Sequence, residues 1–145
     1  MTFTLPAAVR LAESLSSAIE EAVTRFPRKH RYAFGAELRE RAWSVLSIAN
    51  LAALRPERRA ALLEELRDKV DDLKLSLQLG KQMRAFVSFR QFEALYRDAA
   101  KLGQQVGGWY RSVIPPQGQS DQDVVPGQRA NTLSARSASI YEANA

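Results

Sequence analysis

Apolar residues recur at three- and four-residue steps through the first 112 positions and lose that rhythm afterwards. From about Ala7 to Phe26 the recurring positions are Ala8, Leu11, Leu15, Ala18, Ile19, Ala22 and Phe26, with Glu13, Ser17, Glu20 and Thr24 on the other side. That spacing predicts one amphipathic helix. Pro6 suits its first turn, and Pro27 closes it because the residue before proline resists helical geometry. A second helix is predicted from about His30 to Leu54, with Phe34, Leu38, Ala42, Val45, Leu46, Ala49 and Ala53 in its stripe. Pro56 breaks the chain and opens a third, from about Glu57 to Arg84, rich in good helix formers. The fourth runs from Ser88, a suitable N-cap, to about Ser112, with Phe92, Leu95, Tyr96, Ala99, Leu102, Val106 and Trp109 along its apolar side.

Four helices with short connections predict an all-α, antiparallel up-down-up-down bundle over residues 1–112. Beyond Ser112 the chain turns to Pro, Gly, Ser, Gln and Asn, so 113–145 is read as a disordered tail. Within it, Leu133–Ala143 is a segment able to become helical on a partner.

One stretch breaks the simple pattern. Residues 71–79 alternate like a strand (Asp71, Asp72, Leu73, Lys74, Leu75, Ser76, Leu77, Gln78, Leu79), but the fifteen before them are strongly helical. Kept as a helix, the segment places Leu73 and Leu77 on the stripe of Leu62, Leu66 and Val70. Leu75 and Leu79 then fall on the opposite side, with Phe86 if the helix reaches that far. A helix apolar on both faces is buried on both. Its second face meets either another subunit or a second neighbour in its own bundle, and the subunit contact is the preferred expectation.

Composition narrows the chemistry. The 145 residues contain no cysteine and one histidine, His30, which excludes disulfides, thiolate metal sites and polyhistidine centres. No catalytic residue, metal ligand or cofactor is expected. Residues 1–112 hold 19 basic and 13 acidic side chains, a balance of +6, and the remainder carries −1. A basic body favours a polyanionic partner. The N-terminus lacks a basic segment followed by an apolar run, and no stretch is long enough to span a bilayer, so a cytoplasmic protein is expected.

The basic residues gather in three places. Arg28, Lys29, His30 and Arg31 share one interhelical turn and offer a grip for phosphates. Arg90, Arg97 and Lys101 project within about 40° of one another on the fourth helix. Arg67, Lys74, Gln78 and Lys81 lie within about 60° on the third. Each group also reads as an ordinary solvated surface. Gly107, Gly108, Trp109 and Tyr110 read as packing at the last helix end, with stacking on a base as the alternative.

Phe26-Pro27-Arg28-Lys29-His30-Arg31-Tyr32, then Leu73-Lys74-Leu75 with Leu79-Gly80-Lys81, then Gly107-Gly108-Trp109 resemble in this order a known group. It is the accessory variability determinant (Avd) family of diversity-generating retroelements, related to proteins encoded in intervening sequences of bacterial 23S ribosomal RNA genes. The resemblance spans about residues 7–112. It implies a homopentameric barrel that performs no chemistry, binds the retroelement's reverse transcriptase and nucleic acid (template RNA, with DNA possible), and supports mutagenic complementary-DNA synthesis and retrohoming. Basic residues one turn apart on the family's third helix are implicated in the polymerase contact. Lys74 matches the first, but the next turn has Gln78, so the contact would fall on Lys74 and Gln78 with Lys81 and Arg84. The alternatives are an intervening-sequence protein acting as a basic oligomeric scaffold, and an enzyme built on Glu64, Asp68, Asp71 and Asp72. The bundle enzymes of that kind use Glu-x-x-His steps, which this chain lacks.

Overall fold

A computed structural model describes residues 5–115, all of whose regular structure is helical. Helix α1 spans Ala7–Thr24 and α2 is a single turn, Arg28–Arg31; α3 spans Phe34–Leu54, α4 Arg59–Gln82 and α5 Phe89–Val113. The four long helices form one bundle in which α1 packs on α3 and α5, and α4 packs on the same two. The expected tail lies outside the described residues apart from its first three positions.

The buried faces follow the three-and-four spacing. Leu15, Ile19 and Val23 of α1 meet Leu38 and Val45 of α3, Leu63, Leu66, Val70, Leu73 and Leu77 of α4, and Leu102 and Val106 of α5 in one core. Full burial of each such side chain contributes about 1.5–3 kcal/mol, and this face, rather than intrinsic propensity, holds the helices. The alternating stretch 71–79 is helical throughout. Leu73 and Leu77 are buried, whereas Leu75 and Leu79 point outward.

Side chains satisfy the start of α5 and the end of α3. Ser88 caps α5 by accepting the Gln91 N–H on Oγ at 3.1 Å, and Gln91 Oε1 accepts the Val87 N–H at 3.1 Å. This is a capping box shifted by one residue. Pro56 starts a 3-10 turn, Pro56–Arg58. Arg59 then reaches back, its Nε donating to the Ala52 carbonyl at 2.7 Å and Nη2 to that of Ala53 at 3.0 Å. A cation on the last carbonyls of α3 also complements that helix's dipole.

The chain departs from the expected second helix, which was to run unbroken from His30. Tyr32 and Ala33 interrupt it between α2 and α3. The break lets Phe34 turn inward to stack on Phe26 at 5.9 Å. Gly35 permits the close approach that follows, since a Cβ there would lie 2.7 Å from Val23 Cγ1.

Across α4 and α5, Tyr110 meets Glu64, Gly103 faces Val70, and Lys81 lies over the Phe92 ring. Across α3 and α4, Arg41 Nε bonds Asp72 at 2.9 Å, and Phe34 crosses Gly80. Gly80 is required there: a Cβ would fall 2.8 Å from both Phe34 Cε2 and Phe86 Cε2. Gly103 is not, because its Cβ would meet only Val70 Cγ1 at 3.6 Å. Alanine at both positions gains about 1 kcal/mol in helix propensity, but overpacking at Gly80 costs about 1–3 kcal/mol. Denaturant melts should therefore show Gly80→Ala destabilised and Gly103→Ala stabilised; the same sign for both would refute this account of the ring contact.

Candidate nucleic-acid and partner interface

Both interhelical turns at one end of the bundle are fastened by aromatic rings. Phe26, before α2, meets Phe86 edge-on at 5.3 Å, and Phe86 meets Phe92 at 5.8 Å. The α1–α3 turn therefore adjoins the α4–α5 turn, and their cations gather at one end. Arg28, Lys29, Lys81, Arg84 and Arg90 are all exposed there, and none forms an ion pair among the described residues.

Within the first turn the four residues named from sequence do not act alike. Arg28 and Lys29 project into solvent. Arg31 folds back, its Nη2 donating to the Phe26 carbonyl at 3.2 Å while Nε is buried without a partner among the described residues. His30 is half-buried and its Nε2 is likewise unpartnered. Two of the four thus face outward and two are half-buried, of which Arg31 ties the turn's backbone. A run of charges read along the chain carries no signal for which members fold back.

On α5, Arg90, Arg97 and Lys101 lie opposite the buried stripe and are exposed, with Arg97 loosely paired to Glu93 at 3.8 Å. On α4, Lys74 is half-buried and sits 3.8 Å from Asp71, while Gln78 is exposed. Lys74 borders a groove of about 470 Å³ between α4 and α5, rimmed also by Arg67 and Arg111. Arg67 stacks over the Tyr110 ring at 5.4 Å, and the Tyr110 hydroxyl donates to Glu64 at 2.8 Å. That bond to a carboxylate, with burial and the Glu64 charge adding to it, holds the Tyr110 hydroxyl above the usual phenol range; Arg67 acts in the opposite sense. Lys81 lies 5.0 Å above the Phe92 ring, so α4's last basic residue belongs to the aromatic end.

Of the acidic residues weighed for catalysis, Glu64, Asp68 and Asp71 border one surface pocket with Arg67, and Asp72 lies in another. Glu64 is held by Tyr110, Asp71 by Lys74 and Asp72 by Arg41. No group of three His, Cys, Asp or Glu side chains that could hold a metal occurs among the described residues. No helix among them is long and apolar enough to cross a membrane.

Of the expected subunit contact, Leu75 and Leu79 are 69% and 50% exposed on the outer side of α4. Phe86 does not join them, because α4 ends at Gln82 and the ring turns into the aromatic cluster. Three exposed aromatics lie outside the site groups expected from the sequence: Tyr32, 72% exposed, Trp43, 66%, and Phe89, 63%. Trp43 was legible, since it falls opposite the Leu38, Ala42, Val45 and Ala49 stripe. Phe89 was not, because its exposure depends on where α5 begins.

No family model matches this chain, and no curated protein matches it.

Because Leu75 and Leu79 are already exposed on the chain, replacing both with Glu should change the chain's own stability by no more than about 0.5 kcal/mol per site. Thermal melts at high dilution check this. A loss of several kcal/mol there would place both side chains in the chain's own core.

Proposed function

We propose that this chain is a non-enzymatic accessory protein of a diversity-generating retroelement. In this reading it binds the element's reverse transcriptase and nucleic acid, template RNA or complementary DNA, and supports mutagenic complementary-DNA synthesis and retrohoming. The observation that carries the nucleic-acid part is the exposed cluster Arg28, Lys29, Lys81, Arg84 and Arg90 at one end of the bundle, none of them ion-paired among the described residues. Unneutralised cations on a fixed helical frame suit phosphate contacts. The retroelement context rests on the resemblance over residues 7–112.

The finer architecture belongs to the same proposal. The pairings Glu64–Tyr110, Val70–Gly103 and Lys81–Phe92 fall along α5 as they rise along α4, which supports an antiparallel, up-down-up-down course. Exposed Leu75 and Leu79 support a subunit contact, and the resemblance makes that assembly a homopentamer. A ring would repeat the basic end around an axis and strengthen its field. Lys74 and Gln78 form the polymerase contact, bordering the α4–α5 groove. The protein acts in the cytoplasm and without a cofactor.

Binding to RNA should weaken steeply with salt, and the slope of log affinity against log salt should fall by about 0.7 for each single-strand phosphate contact removed. Arg28→Gln with Lys29→Gln should reduce both affinity and slope, whereas Arg31→Gln should do less because its guanidinium is tied to the Phe26 carbonyl. Lys74→Glu should weaken co-purification with the reverse transcriptase and leave RNA binding intact. Light scattering should find an oligomer, dispersed by Leu75→Glu with Leu79→Glu. Salt-insensitive RNA binding together with unaltered polymerase association would refute the proposal.

A further inference from the structure

The turn after α4 holds an unusual residue. Its backbone closes by Met83 N–H to the Leu79 carbonyl at 2.9 Å, Arg84 N–H to that of Lys81 at 3.0 Å, and Ala85 N–H to that of Gly80 at 2.9 Å. This pattern puts Arg84 at the position past the helix end where glycine is the usual occupant. Its φ is 61°, and it is the sole non-glycine residue at positive φ among the described residues. A side chain in that conformation costs energy that glycine would not. Packing does not demand an arginine there, because the side chain is exposed.

What Arg84 borders is an open pocket of about 240 Å³, lined also by Lys81, Phe86, Ser88, Phe89 and Phe92. Lys81 is held over the Phe92 ring at 5.0 Å. The Phe89 ring sits 5.7 Å from that of Phe92 and leaves most of its surface in solvent. Ser88 Oγ accepts the Gln91 N–H, which leaves its own proton to donate. The pocket thus joins an exposed aromatic wall, two cations and a hydroxyl, and no carboxylate lines it. It is smaller than the roughly 300–1,000 Å³ of sites that enclose a whole small-molecule ligand.

We propose that this pocket receives one unstacked nucleotide of a single-stranded nucleic acid, its base lying on Phe89 and its phosphates held by Lys81 and Arg84. A base and its phosphate present a flat π-face beside a negative charge, the complement of this wall and rim. In a duplex the bases are stacked and paired, so only phosphates can reach it. An acidic peptide would satisfy the cations and leave the Phe89 ring uncovered. The proposal rests on the nucleic-acid-binding reading above and transfers Lys81 and Arg84 from the polymerase contact to the nucleotide.

The test measures binding of the full chain to a short oligo-uridine and to duplex RNA of equal length, by fluorescence anisotropy. Phe89→Ala should weaken the single strand about ten-fold and leave the duplex unchanged, with Phe89→Trp restoring single-strand binding. Arg84→Gly should raise the melting temperature while weakening the single strand, a combination that a merely structural arginine would not produce. If Phe89→Ala changes neither ligand, or both equally, the nucleotide pocket is overturned while nucleic-acid binding stands. If the unaltered protein binds neither RNA, the pocket and the nucleic-acid part of the functional proposal fall together.

Discussion

The contact of Phe34 and Phe86 with the bare backbone of Gly80 governs the basic end of this molecule. Without a Cβ at Gly80, both rings settle onto α4, one arriving from the α1–α3 turn and the other from the α4–α5 turn. Phe26 and Phe92 extend the cluster on either side. Rings meeting edge-on or tilted contribute about 0.5–1.5 kcal/mol per pair beyond the area they bury. Their larger effect is geometric, because they decide that cations distant in sequence share one surface. The contact of Phe26 with Phe86 sets the turn that carries Arg28 and Lys29 against the turn that carries Arg84.

The helices were legible in the sequence because burial on one face leaves a periodic trace. Leu62, Leu66, Val70, Leu73 and Leu77 announce α4 despite the strand-like alternation, and the outward position of Leu75 and Leu79 follows from the same arithmetic. The break at Tyr32 and Ala33 was not legible. It answers to a tertiary demand, the stacking of Phe34 on Phe26, and leaves no periodic mark. For the same reason Phe86 could be assigned to the outer face of α4 until the end of that helix was known.

The surface groups were less legible still. Charge runs show where cations are dense, but not that Arg31 would turn back to a carbonyl while Arg28 stays free. Nor could spacing pair Lys81 with Phe92, or show Arg84 in a left-handed conformation. These features arise where a helix ends, and ends are set by competition among capping, ring packing and turn closure rather than by a repeating pattern.

The two ends of the bundle are fastened by different mixtures of contacts. At one, Arg59 grips the carbonyls of Ala52 and Ala53, and Tyr110 bonds Glu64; at the other, phenylalanine rings close on one another. Apolar association weakens as water is cooled. At the end that carries the exposed cations, cooling therefore weakens the ring contacts between the two turns. Temperature thereby acts on the spacing between charges without altering their number.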